Sequence, residues 1–417
     1  MTLALTRTMP PSTKSIEQAL TQATERFALE LAVPQGQAPL WSEFEWQMAR
    51  AAAVLQGVTP LLASALRWSG PPQWEAFVIQ QRHQTVFRHE RIVAILKDLG
   101  ARAASVGVPM VMLKGSALHC LGVYSPGERP MADIDLLVRP GDVERSKEVL
   151  AAADFVQVGA TWKDQIFVPA CAVDPGVQPC PPLGENVAQP VKIELHTRIA
   201  ERLPVNEADI TALAFPEEPK PGLNRYSSTR VLLLHLLLHA AGNMSHRSIR
   251  LIHLHDISRL ATTMNSEQWQ ELLNLGPAPH SFWWAYPPLQ LLNRYQPGLI
   301  PSRILEQLRR GCPSSLRRRS QHASFSQLSF ASLALQALPA RHWCGSWGER
   351  LHYIRNRVLP SRDVLASRAV WTNEQWARQD PWLHQPHWRR MARWLFGRPP
   401  RRDTMYIVNA VLNDPGT

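Results

Sequence analysis

The chain has 417 residues, of which 45% are hydrophobic and 19% charged, with a formal net charge of +11. That is enough apolar material to bury a core in two or three domains, which excludes a generically disordered chain. Five scattered cysteines, Cys120, Cys171, Cys180, Cys312 and Cys344, lack any short paired spacing, so neither a disulfide framework nor a zinc ribbon is indicated and a reducing compartment is expected.

Residues 1–14 read as a loose Pro/Thr/Ser leader, with too little apolar length for a secretory signal. Residues 15–102 carry helical periodicity with few strand signals and form an N-terminal helical block. Residues 103–200 supply the strands. Val108 to Leu113 is a short apolar run that stops at Lys114-Gly115-Ser116, the pattern of a buried strand ending in a turn. Gly115 lets a backbone approach phosphate closely, and Ser116 is placed to cap a helix beginning at Ala117, whose free N–H groups would favour anions.

After Ser125-Pro126-Gly127, the segment Arg129-Pro130-Met131-Ala132-Asp133-Ile134-Asp135-Leu136-Leu137-Val138 alternates as a strand. Its alternation puts Asp133 and Asp135 on one face and Ile134 and Leu136 on the other. Two carboxylates roughly 4 Å apart repel by about 4 kcal/mol at an effective dielectric near 20, so the pair wants a shared proton or a divalent cation. Mg²⁺ accompanying a nucleoside triphosphate supplies one, because Mg²⁺ takes one or two protein carboxylates and completes its shell with phosphate and water. A third carboxylate is expected from a neighbouring strand. Lys192-Ile193-Glu194-Leu195-His196 offers Glu194 as a second metal ligand or a base, with His196 on the same face to bond Glu194 or contact phosphate. The 34 acidic residues among 417 give about three acid-x-acid triplets by chance, so the pair alone says little. The ordered set of turn, acid pair and later Glu/His strand carries the weight.

Gly141 to Ala153 reads as a helix within this core, and residues 169–190 are Pro- and Gly-rich enough to be a surface loop, with a lid as the less favoured reading. Residues 201–300 turn helical again, around the nearly all-apolar run Val231 to His239. His235, His239, His246, His253 and His255 gather here, but without a His-Glu-x-x-His spacing they read as satisfied core or interface groups rather than a metal site. Arg250 and Asp256 are expected to pair, or to contact an acceptor. Residues 301–417 hold 19 Arg, no Lys and 7 acids, a net of +12, so the basic character of the chain is local. Interleaved Arg and Trp in this region suit a solvated basic face, an anionic membrane surface contacted through 384–402, or, less favoured, nucleic acid. No run approaches the 18 or so apolar residues of a membrane span.

Leu113-Lys114-Gly115-Ser116-Ala117-Leu118, Tyr124, Arg129 through Val138, and Ile193-Glu194-Leu195-His196 together resemble the uncharacterised bacterial nucleotidyltransferase-like family of the DNA polymerase β-type superfamily. The resemblance covers roughly residues 40–270. It implies an α/β (α+β) fold in which a small mixed-sheet core is flanked by N- and C-terminal helical blocks. It also implies that Gly115 and Ser116 hold a triphosphate, that Lys114 and Arg129 neutralise phosphate, and that Asp133, Asp135 and Glu194 ligate Mg²⁺. The superfamily usually has Gly-Gly-Ser or Gly-Ser and a short helix before its acid pair; here Lys-Gly-Ser and a longer interval stand instead. The expected activity is transfer of an NMP from an NTP to an acceptor hydroxyl or phosphate in a cytoplasmic protein, with peripheral contact at the inner membrane surface as an option for its basic tail. The alternative is a catalytically inactive nucleotide-binding or scaffold protein with a membrane- or nucleic-acid-associating tail.

Overall fold

The computed structural model describes residues 11–173, 183–278, 280–362, 364–366, 380–397 and 399–414. Four helices come first: α1 (Thr13–Ala32), α2 (Glu43–Gln56), α3 (Thr59–Ala65) and the long α4 (Pro72–Ser105). α2 starts on a Ser42/Glu45 capping box and stops at Gly57, whose φ of 65° closes the helix in the left-handed conformation.

The strands and helices of the core then alternate as β1 (Pro109–Met112), α5 (Lys114–Cys120), β2 (Asp133–Leu137), α6 (Val143–Ala152), β3 (Phe155–Ala160), β4 (Asp164–Pro169) and β5 (Lys192–His196). A small two-stranded ribbon of β6 (Ala200–Arg202) and β7 (Glu207–Asp209), a single turn α7 (Thr211–Ala214) and β8 (Gly222–Asn224) follow. The main sheet is mixed, in the order β3-β4-β5-β2-β1-β8. β2 lies parallel to β5, β1 runs antiparallel to β2 and parallel to β8, and β3, β4 and β5 pair antiparallel. β8 therefore joins the sheet from beyond residue 200.

The helical half comprises α8 (Thr229–Ser245), α9 (Leu251–Ala261), α10 (Ser266–Asn274), α11 (Tyr286–Tyr295), α12 (Ser302–Gly311), α13 (Ser314–His322), α14 (Phe325–Leu328), α15 (Trp347–Val358), α16 (His387–Phe396) and α17 (Arg402–Leu412). α8 is apolar all round because it is packed all round: Val231 to Leu238 are buried in succession. Its neighbours share one large apolar core with α1, α2 and α17, in which α17 packs against α2 and α2 against α1. A second, smaller core fills the space between the sheet and α4 and α6, with Ile134, Leu136, Ile193 and Leu195 pointing into it. Because those four face one core, the alternate residues on β2 and β5 face the other way, toward α8 and α9.

Two local expectations change. α5 begins at Lys114 rather than Ala117, so Ser116 lies inside the helix and does not cap it. The helix after β2 starts at Val143, with a short 3-10 turn over Pro140–Asp142 before it. Of the 169–190 loop, residues 174–182 lie outside the described residues. Its end is fixed: Arg88, buried in α4, donates to the carbonyls of Asn186 (3.1 Å) and Gln189 (2.8 Å) and pairs with Glu185 at 2.9 Å. No helix among the described residues is long and apolar enough to cross a membrane.

Candidate active site

A cavity of about 460 Å³ lies between the polar face of the sheet and the helices α2, α8 and α9. Asp133, Asp135, Asp164 and Glu194 reach it from the strands; Gly57, His239, Arg250, His253 and Asp256 reach it from the helices.

The strand wall follows from register. Parallel pairing sets Asp135 level with Glu194 and Leu137 level with His196, and on the other side of β5 Asp164 is level with His196. Side chains level with one another on neighbouring strands share a face, so four acids and an imidazole are gathered by backbone pairing alone. His196 Nε2 lies 2.9 Å from Asp135 Oδ1 and 3.5 Å from Glu194 Oε2, and its Nδ1 lies 3.9 Å from Asp164 Oδ2. Lys114 Nζ donates to the same Asp135 oxygen at 2.7 Å.

These contacts divide the two aspartates electrostatically. Burial alone would push Asp135 up, but Lys114 and His196 outweigh it and hold the carboxyl well below its usual range. Asp133 has no ion pair among the described residues. Burial, followed by the charges of Asp135 and Glu194, pushes it up to about 7. Burial opposes protonation of His196, yet its hydrogen bonds to Asp135 and Glu194 raise it overall. The strand wall is thus short of positive charge at Asp133, the electrostatic condition that a divalent cation relieves. Ligand atoms of Asp135, Glu194 and His196 all lie within 4.8 Å of one another. The donor set of carboxylate oxygens fits a hard cation, with one imidazole beside them.

The turn between β1 and α5 is built under strain. Lys114 has a φ of 43°, in the left-handed region that a residue with a Cβ seldom occupies. Its backbone N–H is received by the Tyr226 hydroxyl at 3.3 Å, which in turn bonds His235 Nδ1 at 2.7 Å. Gly115 is needed for room: a Cβ there would sit 2.5 Å from Arg129 Nη1 and 2.7 Å from Met131 Sδ. The Ser116 hydroxyl is buried with no hydrogen-bond partner. Arg129 lines the cavity, but its charge is answered by Asp256, which accepts from Nε at 2.8 Å and from Nη2 at 2.7 Å. Tyr124 donates to the same Asp256 at 2.8 Å. The expected pairing of Arg250 with Asp256 is therefore replaced. Asp256 is one helical turn into α9 and faces Arg129, whereas Arg250, at the N-cap, turns back to the carbonyls of Val54 and Leu55 that end α2.

The family described as uncharacterised nucleotidyltransferase matches residues 42–293. The chain belongs to this family. No curated protein and no solved structure matches it.

In this nucleotidyltransferase, α3, the sheet, α8 and α9 all fall inside the matched span, whereas α1 and α12 to α17 lie outside it. Two cavity groups had no signal in the sequence. Asp164 lies between Lys163 and Gln165 with no second acid at a telling spacing, and reaches His196 only through the β4–β5 pairing. Lys163, from the entry to β4, meets Glu201 of β6 beside the cavity, where Lys163 Nζ lies 2.9 Å and Nδ1 of His239, expected as a core group, 3.5 Å from Glu201 Oε1. His235, expected as a satisfied core group, is one, through Tyr226.

Proposed function

We propose that the protein is a Mg²⁺-dependent nucleotidyltransferase that moves an NMP from an NTP to an acceptor hydroxyl or phosphate with release of pyrophosphate. The observation that carries this reading is the convergence of Asp133, Asp135 and Glu194 on one cavity wall, with Asp133 pushed up to about 7 by its neighbours. Asp133, Asp135 and Glu194, with His196 beside them, would hold the metal. Bound there, Mg²⁺ would neutralise the carboxylates, polarise the reacting phosphate and lower the pKa of the attacking hydroxyl. Lys114 and His196 keep Asp135 ionised and fix its orientation. Glu194, the more open carboxylate, is placed to receive the acceptor proton. Helices α8 and α9 close the opposite side of the cavity and limit the access of water.

Calorimetry with each of the four NTPs, with and without Mg²⁺, tests the reading on wild type and on Asp133→Asn, Asp135→Asn. We expect Mg²⁺-dependent binding that the double variant loses, and loss of transfer by about a thousandfold or more once an acceptor is found. Pyrophosphate release by the folded double variant would sink the assignment. Wild-type nucleotide binding with no turnover against any acceptor class would favour the inactive, scaffold-type alternative.

A second reading concerns the C-terminal region. α15 presents Trp347, Leu351, Ile354 and Val358 at helical spacing, exposed by 76%, 66%, 39% and 46%, and α16 exposes Trp388 and Phe396 by 65% and 89%. Arginines flank both: Arg350 packs over Trp347 and Arg389 over Trp388. Apolar faces rimmed by arginine suit peripheral contact with an anionic membrane, each cation contributing about 1 kcal/mol. Sedimentation with anionic vesicles should carry wild type down and leave Trp347→Glu, Leu351→Glu in solution with nucleotide binding unchanged. Equal sedimentation with neutral vesicles would remove the electrostatic part of the reading. Trp371 and Trp376, in the same Arg/Trp-rich region of the sequence, lie outside the described residues.

A further inference from the structure

The cations of the cavity are almost all spoken for. Lys114 pairs with Asp135 at 2.7 Å, Arg129 with Asp256 at 2.7 Å and Lys163 with Glu201 at 2.9 Å. The exception is Arg250. It lines the cavity, and among the described residues no carboxylate lies within ion-pair distance of it. Glu185, whose charge it senses, is held by Arg88 at 2.9 Å. Arg250 Nε donates to the Leu55 carbonyl at 2.9 Å and Nη2 to Val54 at 3.2 Å, and Nη1 has no hydrogen-bond partner among the described residues. Neutral carbonyls position a guanidinium without cancelling its charge, and a buried charge left uncompensated is costly. Burial accordingly lowers the pKa of Arg250, although Glu185 and Asp133 pull it the other way.

Its surroundings favour an anion. His253, one turn along, accepts the Arg250 backbone N–H at Nδ1 (3.4 Å), which assigns the remaining ring proton to Nε2 and makes that nitrogen a donor. Burial first, then the nearby His239 and Arg250, keep His253 neutral well below its usual range, so it donates without adding charge. Both residues stand at the start of α9, an eleven-residue helix whose dipole favours negative charge at this end, although its first N–H, that of Leu251, is taken by Gln56 Oε1 at 3.2 Å. Gly57 leaves room for the guanidinium: a Cβ there would lie 2.9 Å from Arg250 Nη2.

We propose that Arg250 and His253 form the seat for the polyphosphate of the nucleotide donor, on the wall facing the metal-binding carboxylates. The inference rests on the nucleotidyl-transfer reading and sharpens it. The phosphate-holding groups expected from the sequence are largely occupied: Lys114 and Arg129 by carboxylates, Gly115 by Arg129 and Met131, and Ser116 by burial. Arg250 is the described cation of the cavity with charge to offer, and a triphosphate spanning the cavity would meet carboxylates and metal on one side and Arg250 on the other.

Calorimetry on the full-length protein with Mg²⁺, using ATP, AMP and inorganic tripolyphosphate as probes, tests this on wild type, Arg250→Gln and Arg250→Lys. The glutamine keeps an amide donor for the α2 carbonyls, and thermal melts register any loss of that clamp. We expect Arg250→Gln to weaken ATP and tripolyphosphate tenfold or more with AMP changed much less, and Arg250→Lys to recover part of the loss. A clamp without an anion role would weaken all three probes alike or none, and either result overturns the proposal. ATP binding abolished by Asp133→Asn, Asp135→Asn but untouched by Arg250→Gln would overturn the seat and leave the nucleotidyl-transfer reading standing. Arg250-dependent binding of tripolyphosphate in a wild type that binds no nucleotide would overturn the donor assignment together with that reading.

Discussion

The two walls of the cavity are made in opposite ways. The strand wall is acidic and comes from two five-residue strands paired in register, so Asp133, Asp135, Glu194 and His196 are placed by the backbone hydrogen bonds of one sheet. The helical wall carries Arg250, His253, His239 and Asp256, and rests on packing between α2, α8 and α9, which meet only in the folded chain. A pair of central strands keeps its geometry when a side chain is changed; a helical wall held by side-chain contacts does not. The chemistry should therefore be fragile on the strand wall and the stability fragile on the helical wall.

Acid separates them most strongly. His235 and His253 are lowered well below their usual range, and His119 and His255 to about 4, with burial the first cause in each case. Between about pH 6.5 and 4 the unfolded chain takes up these protons and the folded chain refuses them, so stability falls as pH falls, by up to about 1.4 kcal/mol per unit for each group. Asp133 acts in the opposite direction: pushed up to about 7, it binds its proton in the folded state first and offsets one histidine over part of that window. Denaturant titrations from pH 7 to 4.5 should show a steep net loss. A flat profile would mean that the imidazoles are already charged.

The pair between the walls comes next. Removing Asp256 leaves Arg129 buried without its bidentate partner, and Asp256→Ala should cost about 3–5 kcal/mol by denaturant unfolding. A double variant, Arg129→Met with Asp256→Leu, should recover most of that. If the single and double variants are equally unstable, packing rather than the unpaired charge sets the cost. On the strand wall, Lys114→Met should cost some stability at neutral pH, but less than Asp256→Ala, because His196 still partners the buried Asp135. It should lower nucleotide affinity or turnover about tenfold and move the acid limb of the pH profile upward, because Asp135 loses the cation that first offsets its burial. A limb that stays in place would show that His196 alone keeps Asp135 ionised.

Much of the strand wall was legible because its signal has period two and fits within a few residues. Ile134 and Leu136 mark the buried side, so the acids between them must face outward. The N-terminal and C-terminal helical blocks were legible in the same way, through periodicity, and the mixed sheet through the family resemblance, although β8 joins the sheet from beyond the expected core. Asp164 was not legible, because a single acid between Lys163 and Gln165 carries no partner until β4 pairs with β5. Arg250 and Asp256 are six apart and suggested a pair; the capping turn at the start of α9 directs one toward α2 and the other toward Arg129. The end of α5's turn was misplaced for a backbone reason, since Lys114 enters the helix in a conformation usually left to glycine.

A left-handed backbone with a Cβ costs roughly 1–2 kcal/mol, which glycine at position 114 would not incur. The backbone would relax with that change, and the cavity would lose the amine that anchors Asp135. Lys114 is thus a point of local frustration, where the sequence best suited to folding and the sequence best suited to a charged cavity part company.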